Sequence, residues 1–118
     1  MSRPRVLVAE DDPNVRLTLE LVLEAEGFDV ILAEDGEKAL EVARGERPDV
    51  ILLDRMMPKL DGKEVYSALL SDATTNQIPV LVLTGMAREK DEWPGAHFVG
   101  KPFSPDELVK RIRDVLSG

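Results

Sequence analysis

The sequence contains no cysteine, which excludes disulfides, thiolate catalysis and Cys-ligated zinc or iron–sulfur sites. It has one histidine, His97, too few for a histidine-based metal site, and any Ser-His-Asp triad would have to run through it. His97 reads as a surface residue and is given no catalytic role. Bases are scarce: 15 Lys and Arg against 23 Asp and Glu give a formal charge of −8. A nucleic-acid-binding surface needs clustered Lys and Arg to displace counterions from phosphates, so no direct nucleic-acid binding is expected. No apolar run approaches the roughly 18 residues needed to cross a bilayer, and the N-terminus carries no signal-peptide pattern. The expectation is a cytoplasmic chain with no membrane partner. Internal repeats, low-complexity tracts and linker-like stretches are missing as well. What is present suits one folded domain: 118 residues, 43% hydrophobic and 32% charged.

Short β-rich runs alternate with helical patterns. Arg5 to Ala9 is the first strand, stopped by Glu10, Asp11 and Asp12. A helix follows with Asp12 as N-cap and Pro13 at its first position, where the missing N–H costs nothing. Val15, Leu19, Val22 and Leu23 form its apolar face, and Gly27 ends it. A second strand, about Phe28 to Ala33, leads through Asp35-Gly36 into a helix carrying Ala39, Leu40 and Ala43. Asp49 to Leu53 and Pro79 to Leu83 are almost continuously apolar, as strands buried on both faces should be. Between them, Pro58, Asp61 and Gly62 mark a loop, and a helix runs from about Lys63 to Leu70. A fifth strand around His97 to Val99 precedes a helix opened by Ser104-Pro105-Asp106-Glu107, with a serine N-cap, Pro at N1 and Glu at N3. Leu108, Ile112, Val115 and Leu116 form its buried stripe. Five strand–helix pairs with apolar strands predict an α/β fold, a doubly wound parallel sheet covered by helices on both faces. In such folds ligands sit at the carboxyl ends of the strands.

Those ends carry Glu10, Asp11 and Asp12, then Asp54, then Thr84, then Lys101-Pro102. In the flavodoxin-like strand order 2-1-3-4-5, strands one and three are neighbours, so Glu10, Asp11 and Asp54 converge. Two carboxylates about 4 Å apart repel by roughly 4 kcal/mol at an effective dielectric of 20. Such a set calls for a raised pKa, a bound cation or an ammonium group such as that of Lys101. All-oxygen donors suit a hard cation, Mg²⁺ above all. A carboxylate beside Mg²⁺, with a lysine and a hydroxyl nearby, suits phosphoryl transfer, and Asp54 is the central candidate nucleophile. Asp12 is read as a cap and left outside the metal set.

Val8-Ala9-Glu10-Asp11-Asp12-Pro13, Leu53-Asp54-Arg55-Met56-Met57-Pro58 with Asp61-Gly62, Leu83-Thr84-Gly85 and Lys101-Pro102-Phe103 resemble the four signature segments of response-regulator receiver domains. The resemblance covers residues 1–118, and the strand order is that of the family rather than something the pattern yields. It implies a CheY-like receiver of a two-component phosphorelay, phosphorylated on Asp54 by a histidine kinase or phosphotransfer protein. It implies Mg²⁺ (or Mn²⁺) bound by Asp11, Asp54 and the backbone carbonyl of Met56, with Glu10 acting through a water. Thr84 would hydrogen-bond a phosphoryl oxygen, Lys101 would pair with the phosphate, and Phe98 matches the aromatic switch position. Lys101-Pro102 would be a cis peptide. The module assists its own phosphorylation and dephosphorylation but is not an enzyme acting on an external substrate. With the chain filled by the receiver fold, output is expected through contact with a downstream protein partner.

The sequence departs from the family in three places. Between Thr84 and Lys101 it is shorter than usual, and Trp93-Pro94-Gly95 breaks the pattern after Met86 to Glu92, so the fourth helix is expected to be shortened. Met56 and Met86 flank the route of water to an acyl phosphate and cannot orient it, which predicts slow self-dephosphorylation. Arg55 stands where the family usually has an apolar or aromatic residue and has no assigned role. The rivals are a pseudo-receiver docking module that signals without phosphate, a Mg²⁺-dependent aspartyl phosphohydrolase and a flavin-binding protein. The intact Glu10, Asp11, Asp54, Thr84 and Lys101 set argues against the first. No clear general acid or cap supports the second, and no phosphate-binding loop after strand one supports the third.

Overall fold

Alternation along the strands decides the architecture. The computed structural model describes residues 3–54, 61–84, 93, 95–100 and 103–117. In chain order the elements are β1 (Arg5–Ala9), α1 (Pro13–Ala25), β2 (Asp29–Ala33), α2 (Gly36–Glu46), β3 (Val50–Asp54), α3 (Gly62–Ser71), β4 (Val80–Thr84), β5 (His97–Gly100) and α4 (Pro105–Ser117). The strands form one parallel sheet in the order β2-β1-β3-β4-β5, as the family resemblance implies. β3 and β4 are buried at every position, and up to the terminal Asp54 and Thr84 their residues are apolar on both faces of the pleat. Leu7, Ile51, Leu53 and Val82 face α2 and α3, where Ala39, Ala43, Val65 and Leu69 meet them. Their neighbours Val6, Val8, Leu52 and Leu81 face α1 and α4, against Leu19, Leu23, Leu108 and Ile112. The four helices among the described residues thus cover both faces, two to a side.

Local sequence sets the helix ends. Asp12 accepts from the backbone N–H of Asn14 at 2.8 Å and of Val15 at 3.3 Å, with Pro13 at the start of α1. The other end is a Schellman turn: Gly27 takes φ +95°, and the N–H groups of Phe28 and Gly27 donate to the carbonyls of Leu23 and Glu24. Ser104 caps α4 by accepting from the Glu107 N–H at 3.1 Å. A full reciprocal capping box forms at α3, between Asp61 and Glu64; from the sequence Asp61 reads only as a loop marker, ahead of a helix from about Lys63. Val15, expected on the buried face of α1, is 39% exposed. It lies in the first turn, beyond the end of β1, where the sheet no longer covers it. The shortened helix expected over Met86 to Glu92 lies outside the described residues. Among those residues, no helix is long and apolar enough to cross a membrane.

Candidate functional site

Register brings the acids together. Ala9 of β1 pairs with Leu53 of β3, so the next residue on each parallel strand, Glu10 and Asp54, comes level at the carboxyl edge. Both are buried, whereas Asp11 is exposed. One carboxylate oxygen from each of Glu10, Asp11 and Asp54 lies within 4.8 Å of the other two. Ionised groups at that spacing repel by about 3.5 kcal/mol per pair at an effective dielectric of 20. Opposite ligands of an octahedral Mg²⁺ stand about 4.2 Å apart, and Mg²⁺ takes few protein oxygens and keeps several waters. The spread and chemistry of these donors therefore fit a small hard cation. Asp12, engaged in capping α1, is not part of the group, as its N-cap reading requires.

Thr84 ends β4, buried, one residue past the Leu83 that pairs with Asp54. It pairs in turn with Gly100 of β5. Phe98, two residues back on β5, pairs with Val82 and shares the pleat face of Thr84. Its ring is partly buried and meets the Trp93 indole edge-on, centroids 6.4 Å apart at 84°. Trp93 also contacts Tyr66 of α3 at 5.5 Å, and burial pushes the Tyr66 phenol above its usual range. His97 is exposed, as expected. Arg55, Met56, Met86, Lys101 and Pro102, with the cis-peptide expectation, lie outside the described residues.

Two residues were missed from sequence. Trp93, read as a helix breaker, is 2% exposed and ranks among the largest fully buried side chains; its signal was a lone Trp set just before an edge strand. Arg16, one turn into α1, donates from Nη1 to the carbonyl oxygens of Glu10 at 3.0 Å and Asp11 at 3.2 Å. Its signal was a base within reach of the acids that precede the helix.

A doubly wound parallel sheet with a carboxylate cluster at its carboxyl edge defines an α/β module of the flavodoxin-like class, and the donors of that cluster are of the type that suits a hard cation. The chain belongs to the response regulator receiver domain family, whose model matches residues 6–113. It is accordingly a signalling module of two-component systems, not an enzyme of the usual kind. It is 40% identical to a "Probable transcriptional regulator ycf27" of Porphyridium aerugineum, over 98% of this chain and 49% of that protein. It is 40% identical to the "DNA-binding response regulator MtrA" of Mycolicibacterium smegmatis, over 94% of this chain and 50% of that protein. Among solved structures, the chemotaxis protein CheY4 of Vibrio cholerae matches with a TM-score of 0.90 at 30% identity, covering 97% of this chain and 99% of that one. The receiver domain of the sensor histidine kinase PA1611 of Pseudomonas aeruginosa, described with magnesium coordinated in its active-site cleft, matches with a TM-score of 0.90 at 26% identity, covering 100% of both chains.

These relatives correct one expectation. The charge argument excluded a nucleic-acid partner, yet proteins that match nearly the whole chain are transcriptional regulators, one of them named as DNA-binding. The chain spans about half the length of the curated relatives it matches. A charge of −8 summed over these 118 residues therefore says nothing about the surfaces on the rest of such proteins.

Proposed function

We propose that Asp54 is the phosphoacceptor of a two-component phosphorelay, charged by a histidine kinase or a histidine phosphotransfer protein in the cytoplasm. The observation that carries this is the convergence of the Glu10, Asp11 and Asp54 carboxylates at the carboxyl edge of a receiver sheet. A carboxylate oxygen of Asp54 attacks the phosphorus of a phosphohistidine. The P–O bond of an acyl phosphate forms, the P–N bond breaks, and its electron pair returns to the donor imidazole. Asp11 and Asp54 would hold Mg²⁺ or Mn²⁺ directly, with the Met56 carbonyl as a further ligand and Glu10 acting through a water. The ion supplies charge stabilisation to the phosphoryl oxygens during transfer. The Thr84 hydroxyl donates to a phosphoryl oxygen and the Lys101 ammonium pairs with the phosphate. Both interactions favour one of two conformations, so phosphorylation shifts their equilibrium, and Phe98 turns inward as Thr84 moves. The family-wide reading covers residues 1–118 as one receiver domain.

The same carboxylate cluster lets the domain assist its own phosphorylation from small donors and its own hydrolysis. Met56 and Met86 are apolar and orient no water, so hydrolysis is slow. Met86→Glu speeds decay of the phosphorylated protein, and an unchanged decay rate counts against this. The central test is intact mass after incubation with Mg²⁺ and a small acyl phosphate donor. A single phosphoryl adduct is expected on the wild type and none on Asp54→Asn. No adduct on the wild type, or an equal one on the variant, sinks the assignment.

A further inference from the structure

Arg16 touches the acidic cluster, yet phosphoryl acceptance as described gives it no part. The segment between β1 and α1 is only Glu10, Asp11 and Asp12. Its beginning is tied to the sheet by the Glu10 N–H, which donates to the Ala33 carbonyl at 3.1 Å. Its end is tied to α1 by the Asp12 cap. Between these anchors the Arg16 guanidinium holds two successive carbonyls, those of Glu10 and Asp11, at 3.0 and 3.2 Å. These residues carry two of the three clustered carboxylates. Both bonds come from one nitrogen, Nη1, whose two N–H donors are fixed in the guanidinium plane, whereas the three donors of an ammonium rotate on a flexible stem. The bond to the Glu10 carbonyl is partly buried, where water competes less than at an open surface, and the bond to the Asp11 carbonyl is exposed.

We infer that Arg16 is a positioning residue of the divalent-cation site: by fixing the Glu10–Asp11 backbone it presents both carboxylates preorganised and so sets the affinity for the cation. The inference rests on the metal-binding part of the proposed function. Two effects of the guanidinium oppose each other, which makes the sign decisive. Its positive charge repels a divalent cation, so if charge were its whole contribution, removing it would tighten binding. Its hold on the carbonyls preorganises the ligands, so if positioning dominates, removing it weakens binding. Groups that orient metal ligands from the outer shell are worth about 10- to 100-fold in affinity, and here the weakening is expected to win.

The test is calorimetric titration of the full chain with Mg²⁺ and, separately, Mn²⁺, for the wild type, Arg16→Gln, Arg16→Lys and Asp11→Asn. Saturable binding is expected for the wild type and loss of it for Asp11→Asn. Arg16→Gln should bind about 10-fold more weakly or worse, with Arg16→Lys between it and the wild type. In phosphorylation from a small donor, the Mg²⁺ concentration for half-maximal rate rises by the same factor in Arg16→Gln, while the rate at saturating Mg²⁺ stays near that of the wild type. Arg16→Lys retains the charge, which by itself only repels the cation, so recovery of affinity in that variant to the wild-type value overturns the part assigned to the guanidinium geometry. Equal or tighter binding by Arg16→Gln, with normal binding by the wild type, overturns this inference alone. Absence of saturable binding in the wild type overturns the metal reading and this inference with it.

Discussion

Replacing Asp54 by Asn should stabilise the protein when divalent cations are chelated and forfeit that advantage when they are supplied. Glu10 and Asp54 are both buried, with carboxylate oxygens within 4.8 Å, and their repulsion when ionised is about 3.5 kcal/mol at an effective dielectric of 20. Asp11 is exposed, so water screens its share to about 1 kcal/mol or less. Against this, a neutral amide forfeits charge-assisted hydrogen bonding of the kind open to a buried carboxylate, worth about 1.5–3 kcal/mol. The balance favours Asn by about 1–2 kcal/mol. For 118 residues the unfolding entropy is about 250 cal/mol/K, so the melting temperature in chelator should rise by about 4–8 °C. Cation at 100 times its dissociation constant stabilises the wild type by about 2.7 kcal/mol, whereas the variant has lost a ligand and gains less. The order of the two melting temperatures should therefore invert between chelator and Mg²⁺, as read by circular dichroism. A variant no more stable than the wild type in chelator, or a wild-type melt indifferent to Mg²⁺, refutes the reasoning.

Three further outcomes follow from other parts of the fold. Leu23 on α1 is fully buried, so Leu23→Ala should cost about 2–5 kcal/mol in urea unfolding; less than 1 kcal/mol would mean the helix does not anchor that face. Asp72 accepts from the Thr74 hydroxyl and N–H and from Arg44, and these contacts, the hydroxyl first, hold its carboxyl below its usual 3.8. A lowered folded-state pKa contributes stability that is present above the unfolded value and lost as pH falls below it. Asp72→Asn should thus be less stable than the wild type at pH 7, the gap closing below about pH 3.8; a gap that persists unchanged at about pH 2.5 contradicts the assignment. Finally, Trp93 is the one tryptophan of the chain and lies edge-on to Phe98, so inward rotation of Phe98 on phosphorylation should change its emission. Identical spectra before and after stoichiometric phosphorylation argue against that rotation.

Much of the architecture was legible because the residues that make it act locally. Continuous apolar runs at Val50 to Leu53 and Val80 to Leu83 become strands buried on both faces, and Asp12-Pro13 and Gly27 stand where a helix must begin and end. The acids were legible because chain order places them at strand ends. The order of the strands was not: alternation of strands and helices leaves several arrangements open, and the family resemblance supplied the right one. Arg16 escaped notice because a base on an amphipathic helix is ordinarily solvated, and nothing local reveals that it turns back to two carbonyls. Trp93 escaped because the Pro and Gly after it signal a chain break, which says where the backbone turns and not where the indole goes. The Asp61–Glu64 box was hidden by Gly62 at the first helical position, a poor helix former.

The error about nucleic acid came from reading a sum where only a local density counts. Attraction to phosphates acts over a Debye length of about 8 Å at physiological salt, so a charge of −8 on one domain does not oppose a basic surface elsewhere in a longer protein. The same locality explains why three of the 23 acids form a cluster. Their meeting depends on register alone: Ala9 opposite Leu53 makes Glu10 and Asp54 level. A slip of one residue between β1 and β3 would displace Glu10 by about 3.3 Å along the strand and turn it to the other face. That slip would also carry Leu7 and Ala9 into the layer now filled by Val6 and Val8, exchanging the two cores. The packing that stabilises the sheet and the spacing that brings the carboxylates together are thus set by one pairing, so the site cannot drift while the core holds.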